Sequence, residues 1–181
     1  GENWDADTKF WIQLGSDIDG EAAGDYSGHS VSLDSDGDRV AIGASGNDAG
    51  HVRIYEWNGT AWAILGHDIN GEAAGDQSGY SVSLNSDGDR VAIGATENDG
   101  NGTSAGHVRI YEYSSDSWSQ LGSDIDGEAA YDYSGWSVSL NSDGDRVAIG
   151  ARLNDGTDGN VAGAGHVRIY EYSNSSWSQL G

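Results

Sequence analysis

Short apolar runs alternate with polar, glycine-rich stretches along the whole chain of 181 residues. The apolar runs are rich in Val, Ile, Tyr and Trp, and Asp, Asn, Ser and Gly lie between them. This pattern is typical of β-strands joined by tight turns. No stretch combines helical periodicity with helix-capping residues, so the sequence predicts an all-β protein.

The same series of runs occurs three times. In the first copy the predicted strands are 30–33, 39–43, 51–56 and 62–66. The later copies are 81–84, 90–94, 107–113 and 118–122, and then 137–140, 146–150, 166–172 and 177–181. A repeat of this size usually forms one supersecondary unit that stacks on its neighbours to bury its apolar face.

Turn residues join the strands within each unit. Asp36-Gly37 lies between the first two strands, and Asn58-Gly59 lies between the last two. Both dipeptides are strong hairpin signals, and they predict a four-stranded antiparallel meander. The predicted organisation is three tandem propeller-type blades preceded by an N-terminal segment. The boundaries are 1–18 for a surplus fourth-type strand with its hairpin, then 19–66, 67–122 and 123–181 for the blades.

Three blades are too few for one chain to close a ring, because propellers typically have about four to eight. The surplus strand at 10–18 adds to the problem, since the last unit already has its own fourth strand. Three arrangements stay open: an excerpt of a longer open array, two chains closing one propeller, or a fibre joined through exposed edges.

Length variation is confined to one loop, between the second and third strands. It is 45–49 in the first unit, 96–105 in the second and 152–164 in the third. Insertions in repeat proteins often collect on the binding face, although neutral drift in a solvated loop gives the same pattern. A further position varies in kind as His29, Tyr80 and Trp136. It precedes a predicted inner strand and is a candidate for lining a shared surface.

Composition narrows the class of partners. The chain has 30 acidic and 8 basic side chains and a formal charge of −22, which excludes a phosphate-binding surface for nucleic acid. Cysteine is absent, so there is no disulfide framework. No apolar run reaches the length of a membrane span, so membrane insertion is not expected.

Two propeller families share residues with the repeat. The stretches 25–31, 36–37, 41–44 and 50–55 together resemble an FG-GAP repeat, the blade of the integrin α-subunit propeller. The stretches 32–41 and 52–55 are also similar to a WD-repeat blade. Both resemblances imply four-stranded blades arranged radially.

Two acidic sets are candidate calcium ligands. The first lies in the Asp-rich hairpins, where alternate oxygen ligands around a Gly turn suit a hard cation. Its members are Asp34, Asp36, Asp38, Asn85, Asp87, Asp89, Asn141, Asp143 and Asp145. The second set, in the variable loop, is Asp48, Asp99 and Asp155. Turn formation is the competing interpretation of both sets, because Asp and Asn bond to their own backbone in turns.

Three further groups recur. Asn58, Asn101 and Asn174 begin Asn-x-Ser/Thr triplets, which are possible glycosylation sites if the source glycosylates. Trp11, Trp62, Trp118 and Trp177 open the fourth-strand motif, where packing between blades is expected and stacking on sugars is the alternative. His51, His107 and His166 occupy one repeat position, which favours a structural role.

The function expected from these features is non-enzymatic. No nucleophile, base and acid occur in a recognisable catalytic pattern, and the repeat symmetry gives no unique site. The sequence therefore predicts an extracellular or cell-surface protein with a structural or adhesive role, possible fibre assembly, and copies of itself as partners. The alternative is an integrin-like propeller module that binds calcium, glycans or other surface proteins.

Overall fold

The structure, a computed structural model, describes residues 11–46, 48–156 and 161–181. It confirms the all-β prediction, since these residues form fourteen strands and no helix. In the first blade the strands are β1 Ser27–Leu33, β2 Arg39–Ala44, β3 His51–Trp57, β4 Trp62–Ile64 and β5 Ile69–Asn70. In the second they are β6 Ser78–Leu84, β7 Arg90–Ala95, β8 His107–Ser114, β9 Ser117–Gln120 and β10 Ile125–Asp126. In the third they are β11 Ser134–Leu140, β12 Arg146–Ala151, β13 His166–Ser173 and β14 Ser176–Gln179.

Each blade is the predicted antiparallel meander of four strands. The orders are β1-β2-β3-β4, β6-β7-β8-β9 and β11-β12-β13-β14. The two-residue strands β5 and β10 are additions that the sequence pattern did not predict. They pair with the start of β3 and β8, where the fourth strand no longer reaches.

The first strand of each blade starts three residues earlier than predicted and contains a β-bulge. In β1 the pairing with β2 shifts register between Ser27 and Ser30. Gly28 has a φ of 87°, and Gly79 and Gly135 have almost the same value. This left-handed conformation favours glycine. The bulge separates the early residues from the apolar alternation, which explains why the pattern did not reveal them.

The core lies between blades, where sheet faces pack on one another. Val52 and Ile54 of the first blade pack with Val91 and Ile93 of the second, and all four side chains are fully buried. A matching cluster joins the second blade to the third. The first strands pack from blade to blade, β1 on β6 and β6 on β11, and we call them the inner strands. None of the described residues belongs to a helix that could cross a membrane.

The N-terminal segment differs from its prediction. Its described part, 11–18, forms a single bridge at Trp11 and no strand. A fourth strand needs the third strand of its own blade as a hydrogen-bonding neighbour. Leu14 nevertheless contacts the first blade, because its carbonyl accepts a hydrogen bond of 3.0 Å from Trp62 Nε1. The hairpin predicted before Trp11 lies outside the described residues.

Candidate functional site

The three blades differ most at one end of the inner strands. We call this region the variable end and define it by four repeat positions. They are Tyr26, Gln77 and Tyr133; His29, Tyr80 and Trp136; Ser45, Thr96 and Arg152; and Gly46, Glu97 and Leu153. The first two positions begin the inner strands, and the other two follow the second strands. Backbone hydrogen bonds such as Glu97 N to Asp76 O, at 3.2 Å, hold the two parts together.

Three aromatic rings form a row along the variable end. The ring centroids of His29 and Tyr80 are 4.7 Å apart, and those of Tyr80 and Trp136 are 4.6 Å apart. Interplanar angles of 49° and 46° give tilted contacts of the kind that aromatic pairs prefer. The bulge places these side chains, because each follows a bulge glycine. The candidate shared surface at this position is therefore a continuous aromatic wall.

Arg152 lies against the end of this wall. Its guanidinium carbon is 3.6 Å from the centroid of the Trp136 ring and 5.8 Å from that of Tyr133. Ser45 and Thr96 occupy the same repeat position in the other blades, so the positive charge occurs in one blade only. The side chain is exposed and can meet an anionic or carbonyl group of a ligand. Arg152 was not among the residues predicted from the sequence, although its departure from the repeat was a usable signal.

Tyr80 lies at the centre of the row between opposite charges. Burial of its side chain raises the pKa of Tyr80 above its ordinary value, and the Glu97 carboxylate acts in the same direction. The Arg152 guanidinium opposes this shift. Glu97 is itself fixed, because Ser104 Oγ donates to its Oε2 at 2.6 Å. The Tyr80 hydroxyl therefore stays protonated at neutral pH and can donate a hydrogen bond.

The backbone at the variable end is strained at three equivalent places. Tyr26, Gln77 and Tyr133 have φ values of 54°, 59° and 54°. Residues other than Gly, Asn and Asp rarely adopt this backbone conformation. Such strain concentrates at functional sites, where the surrounding structure holds it. A cleft of about 550 Å³ opens here and is lined by Tyr26, His29, Ser45, Gly46, Asp48, Gly75 and Gln77.

The Asp-rich hairpins lie at the opposite end of the inner strands. Asp34 Oδ1 accepts hydrogen bonds from the backbone amides of Asp38 and Arg39, both at 3.1 Å. A hydrogen bond to Asp34 raises the pKa of Asp38. In the second hairpin, Asn85 accepts from Arg90 N at 2.9 Å and donates to Asp89 at 2.8 Å. These are the bonds of the turn interpretation, and calcium at the hairpins stays a prediction.

The third hairpin repeats this arrangement, since Asn141 accepts from Arg146 N and donates to Asp145. Asp36, Asp87 and Asp143 lie in the corresponding turns between strands.

Acidic residues of the variable loops also bond to their own loops. Asp99 Oδ1 accepts from Ser104 N, and Asp155 Oδ1 accepts from Gly163 N, both at 2.8 Å. Asp48 has a φ of 36° and lines the cleft described above. The Asp99 and Asp155 carboxylates therefore organise two loops of different length in the same way.

The Asn residues of the three glycosylation triplets have different environments. Asn58 Oδ1 accepts three hydrogen bonds from Thr60 and Ala61. The Asn101 amide donates to the carbonyls of Gly127 and Glu128. Asn174 lies in a turn with a φ of 51°. Glycosylation at these positions stays a prediction.

The recurring Trp residues make one contact repeatedly. Trp118 Nε1 donates to Leu65 O in the preceding blade at 2.8 Å, and Trp177 Nε1 donates to Leu121 O at 2.7 Å. Trp62 makes the corresponding bond to Leu14, while the Trp11 side chain is largely exposed. Each indole N–H therefore links its fourth strand to the carbonyl of the equivalent Leu one repeat earlier in the chain.

A buried histidine meets two carboxylates in the second blade. His107 Nδ1 lies 3.9 Å from Glu72 and 3.8 Å from Asp124, so the three groups could surround a metal ion. Arg109 lies 3.6 Å from Glu72 and already supplies positive charge. His107 Nε2 is buried without a partner, and burial lowers the pKa of this imidazole. The group is better explained as an ion-pair cluster beside a neutral histidine.

Comparisons with solved structures support a propeller-type fold. A protein named as a 6-phosphogluconolactonase from Bacteroides fragilis aligns over 98% of this chain and 45% of its own, with a TM-score of 0.60 and 16% identity. A second protein of that name, from Bacteroides uniformis, aligns over 84% and 40%, with a TM-score of 0.55 and 12% identity. Saccharomyces cerevisiae Sqt1 aligns over 88% and 36%, with a TM-score of 0.56 and 14% identity.

The chain therefore spans less than half the length of these proteins. At such identities the likeness establishes the fold, and an FG-GAP assignment is not confirmed. No protein-family model matches the sequence, and no curated protein matches it.

These neighbours correct the functional expectation. The predicted non-enzymatic, adhesive or fibre-forming role is contradicted, because two proteins named as 6-phosphogluconolactonases share the fold. The same finding contradicts the alternative of a glycan-binding or calcium-dependent integrin-like module. The repeat symmetry hides this region in the sequence, since the strands are alike but the variable end is not. The extracellular location stays a prediction.

Proposed function

We propose that this chain forms part of a β-propeller hydrolase that opens a cyclic ester of a sugar acid at the variable end. The fold shared with two proteins named as 6-phosphogluconolactonases supports this class of reaction. The chain aligns with under half of each, so the proposal concerns the portion of such an enzyme that carries these three blades.

One observation carries the proposal. The residue types suited to binding and proton transfer meet where the blades differ, while the strands around them are nearly identical. His29, Tyr80 and Trp136 form the wall, and Arg152 stacks on its end. A purely structural repeat has no need for such asymmetry at one end only. A catalytic site requires it, because its groups have different roles.

The geometry suits a small polyhydroxy ring with a carbonyl group. The aromatic wall can stack on the C–H face of a sugar ring. Arg152 can stabilise negative charge on the carbonyl oxygen when water attacks the carbonyl carbon. His29 can accept the proton from this water. The bond from the carbonyl carbon to the ring oxygen then breaks, the ring oxygen gains a proton, and a hydroxy acid is released.

Lactone hydrolysis by the purified chain tests this proposal. Glucono-δ-lactone and its 6-phosphate are incubated with the chain, and acid release is followed against the uncatalysed rate. We expect catalysed opening of at least one lactone. The Arg152→Ala variant should lose about 100-fold in kcat/KM, the usual cost of removing a group that stabilises transition-state charge.

Arg146→Ala is the matched control, because it removes an exposed arginine from the opposite end of the same strand β12. It should leave the catalysed rate unchanged. A wild-type rate equal to the uncatalysed rate for both lactones contradicts the proposal. Equal losses in the two variants contradict the assignment of the site to the variable end.

Two finer assignments are also proposals. The repeats resemble the FG-GAP class, and the Asp-Gly turn with the 50–55 motif supports that assignment. Calcium at the Asp-rich hairpins is suggested by their alternating oxygen-bearing residues, although Asp34 and Asn85 already use side-chain oxygens to bind backbone amides. Neither assignment is needed for the hydrolase proposal.

A further inference from the structure

The third blade departs from the repeat at one further position of the variable end. The stretches 21–25 and 72–76 both read Glu-Ala-Ala-Gly-Asp, whereas the stretch 128–132 reads Glu-Ala-Ala-Tyr-Asp. A tyrosine, Tyr131, therefore stands where the first two blades have glycine. Tyr133 and Trp136 follow it, so the chain of the third blade enters its inner strand through three closely spaced aromatic residues.

The backbone at this position favours glycine. Gly24 and Gly75 have φ values of 92° and 96°, and Tyr131 has a φ of 68°. A side chain is unfavourable in this left-handed conformation, because its Cβ approaches the following carbonyl oxygen. Glycine adopts the same conformation without that penalty. The third blade therefore loses stability by carrying a tyrosine here, and such strain concentrates at functional sites.

Packing does not explain the tyrosine. Tyr131 is 58% exposed and belongs to neither of the buried apolar clusters between the blades. A Cβ built on Gly24 or Gly75 meets no atom within 4 Å, so the repeat leaves open space at this position. The ring of Tyr131 therefore gains little from burial, and the fold by itself gives no reason to keep it.

The long loop of the second blade holds the main chain at Tyr131. This loop, 96–105, has ten residues, twice the length of its counterpart in the first blade. The amide of Tyr131 donates a hydrogen bond of 2.8 Å to the carbonyl of Thr103. The side-chain amide of Asn101 donates to the carbonyl of Gly127 at 2.8 Å. The insertion in one blade and the tyrosine in the next therefore meet at the same junction.

Tyr131 also lies next to the site proposed above. It comes two residues before Tyr133, so the α-carbons of the two residues are at most about 7 Å apart. The guanidinium carbon of Arg152 lies 5.8 Å from the ring centroid of Tyr133 and 3.6 Å from that of Trp136. Tyr131 is therefore within about one sugar unit of the residues that we place at the lactone ring.

We propose that Tyr131 is a specificity-determining residue that stacks on a second sugar ring of the substrate. This inference rests on the proposed function and names its substrate class, the lactone of a disaccharide acid. An exposed tyrosine ring suits the C–H face of a sugar. The second ring is uncharged, because the formal charge of −22 opposes a further anionic group.

The ratio of two specificity constants tests the proposal. The purified chain is assayed with cellobiono-δ-lactone and with glucono-δ-lactone, and kcat/KM should be higher for the disaccharide lactone. Tyr131→Gly should lower the ratio about tenfold, the usual effect of losing one aromatic contact. The loss should fall on KM with little change in kcat, because stacking acts equally on the bound substrate and the transition state. Tyr131→Phe keeps the ring and should keep the ratio.

Melting temperatures separate a binding role from a structural one. Tyr131→Gly should raise the melting temperature by about 2 °C, because the relief of strain exceeds the added freedom of the unfolded chain. Gly24→Tyr is the matched control, since it introduces the same residue at the same repeat position of the first blade. It should lower the melting temperature and leave the ratio unchanged. A lower melting temperature in Tyr131→Gly would show that the ring stabilises the fold, which overturns the proposal.

The remaining outcomes separate this proposal from the hydrolase proposal. A wild type that opens glucono-δ-lactone or its 6-phosphate at least as efficiently as the disaccharide lactone overturns the role of Tyr131 alone. So does an unchanged ratio in Tyr131→Gly. If no lactone is opened, the hydrolase proposal fails, and calorimetric binding of cellobionate and gluconate tests Tyr131 instead. Cellobionate should then bind more tightly than gluconate, and about tenfold more weakly to Tyr131→Gly. Equal binding of the two acids, or none, overturns the proposal.

Discussion

The two ends of the inner strands are built from the same repeat but differ in what they hold constant. At the hairpin end, Ser35 N donates to Ser86 O and Ser86 N donates to Ser142 O, both at 3.1 Å, so neighbouring turns are joined blade to blade. The turn residues there hardly change. At the variable end, three positions carry a different residue in each blade, and the fourth carries Tyr in two blades and Gln in one. Repetition is therefore strict at the hairpin end, whereas at the variable end the backbone bonds between blades persist, as from Tyr133 N to Ser104 O at 3.2 Å, while the side chains differ.

Glycine-to-alanine substitutions should give the largest difference in unfolding free energy between the two ends. Gly79→Ala puts a Cβ 2.6 Å from a backbone carbonyl at a φ of 86°, so we expect a loss of roughly 3 kcal/mol or more in unfolding free energy. Gly37→Ala at the hairpin end has a similar φ but no atom within 4 Å, and it should cost about 1 kcal/mol. Denaturant unfolding measures both. Equal losses would show that packing around the bulge is unimportant.

Removal of one carboxylate at each end should give a smaller difference in unfolding free energy. Asp132 is buried and accepts hydrogen bonds from Ala129 N and Asn154 Nδ2, so Asp132→Ala should cost about 1–3 kcal/mol. Asp143 is exposed in the hairpin, and Asp143→Ala should change stability by less than about 0.5 kcal/mol. Chemical denaturation of the two variants compares them. A larger loss in the hairpin variant would reverse the comparison.

A pH effect should come from the buried histidine near the variable end. Burial lowers the pKa of His107 below its ordinary value of 6.5, so the unfolded chain binds this proton more tightly than the folded one. Stability should therefore fall as the pH decreases below about 6.5. His107→Gln should flatten the decline between about pH 6.5 and 5, and His67→Gln, at an exposed position, should not. An unchanged slope in the His107 variant contradicts this origin.

Addition of calcium should have the smallest effect on stability. The hairpin oxygens already accept backbone amides, so the turn geometry predicts a melting temperature that is unchanged by about 1 mM calcium. Differential scanning calorimetry with and without calcium measures this. A clear rise that disappears in Asp36→Asn would establish the hairpins as cation sites and give the hairpin end a binding role.

Much of the fold was predictable because β-strands and hairpins leave local signals. The alternation in 30–33 and the Asp36-Gly37 turn are enough to place the first hairpin. The start of the first strand was not predictable, because the bulge at Gly28 interrupts the alternation before Ser30. The N-terminal segment was predicted as a strand from its similarity to 62–66, but pairing depends on a neighbour and not on the segment alone.

The candidate site was predictable only in part. The differing residues at 29, 80 and 136 identified a shared surface, since they break the repeat at one position. Arg152 and Glu97 belong to the same region but lie far from that position in sequence. The sequence did not show that Arg152 would stack on Trp136, because a long side chain can take many directions.

The amino-acid sequence by itself determined the number of blades, the order of their strands and the residues that repeat, because apolar periodicity and turn chemistry act over short distances. Only the tertiary structure decided which faces are covered and which side chains meet at the variable end. Those outcomes depend on packing between blades that are about fifty residues apart in the chain, and no local pattern encodes such contacts.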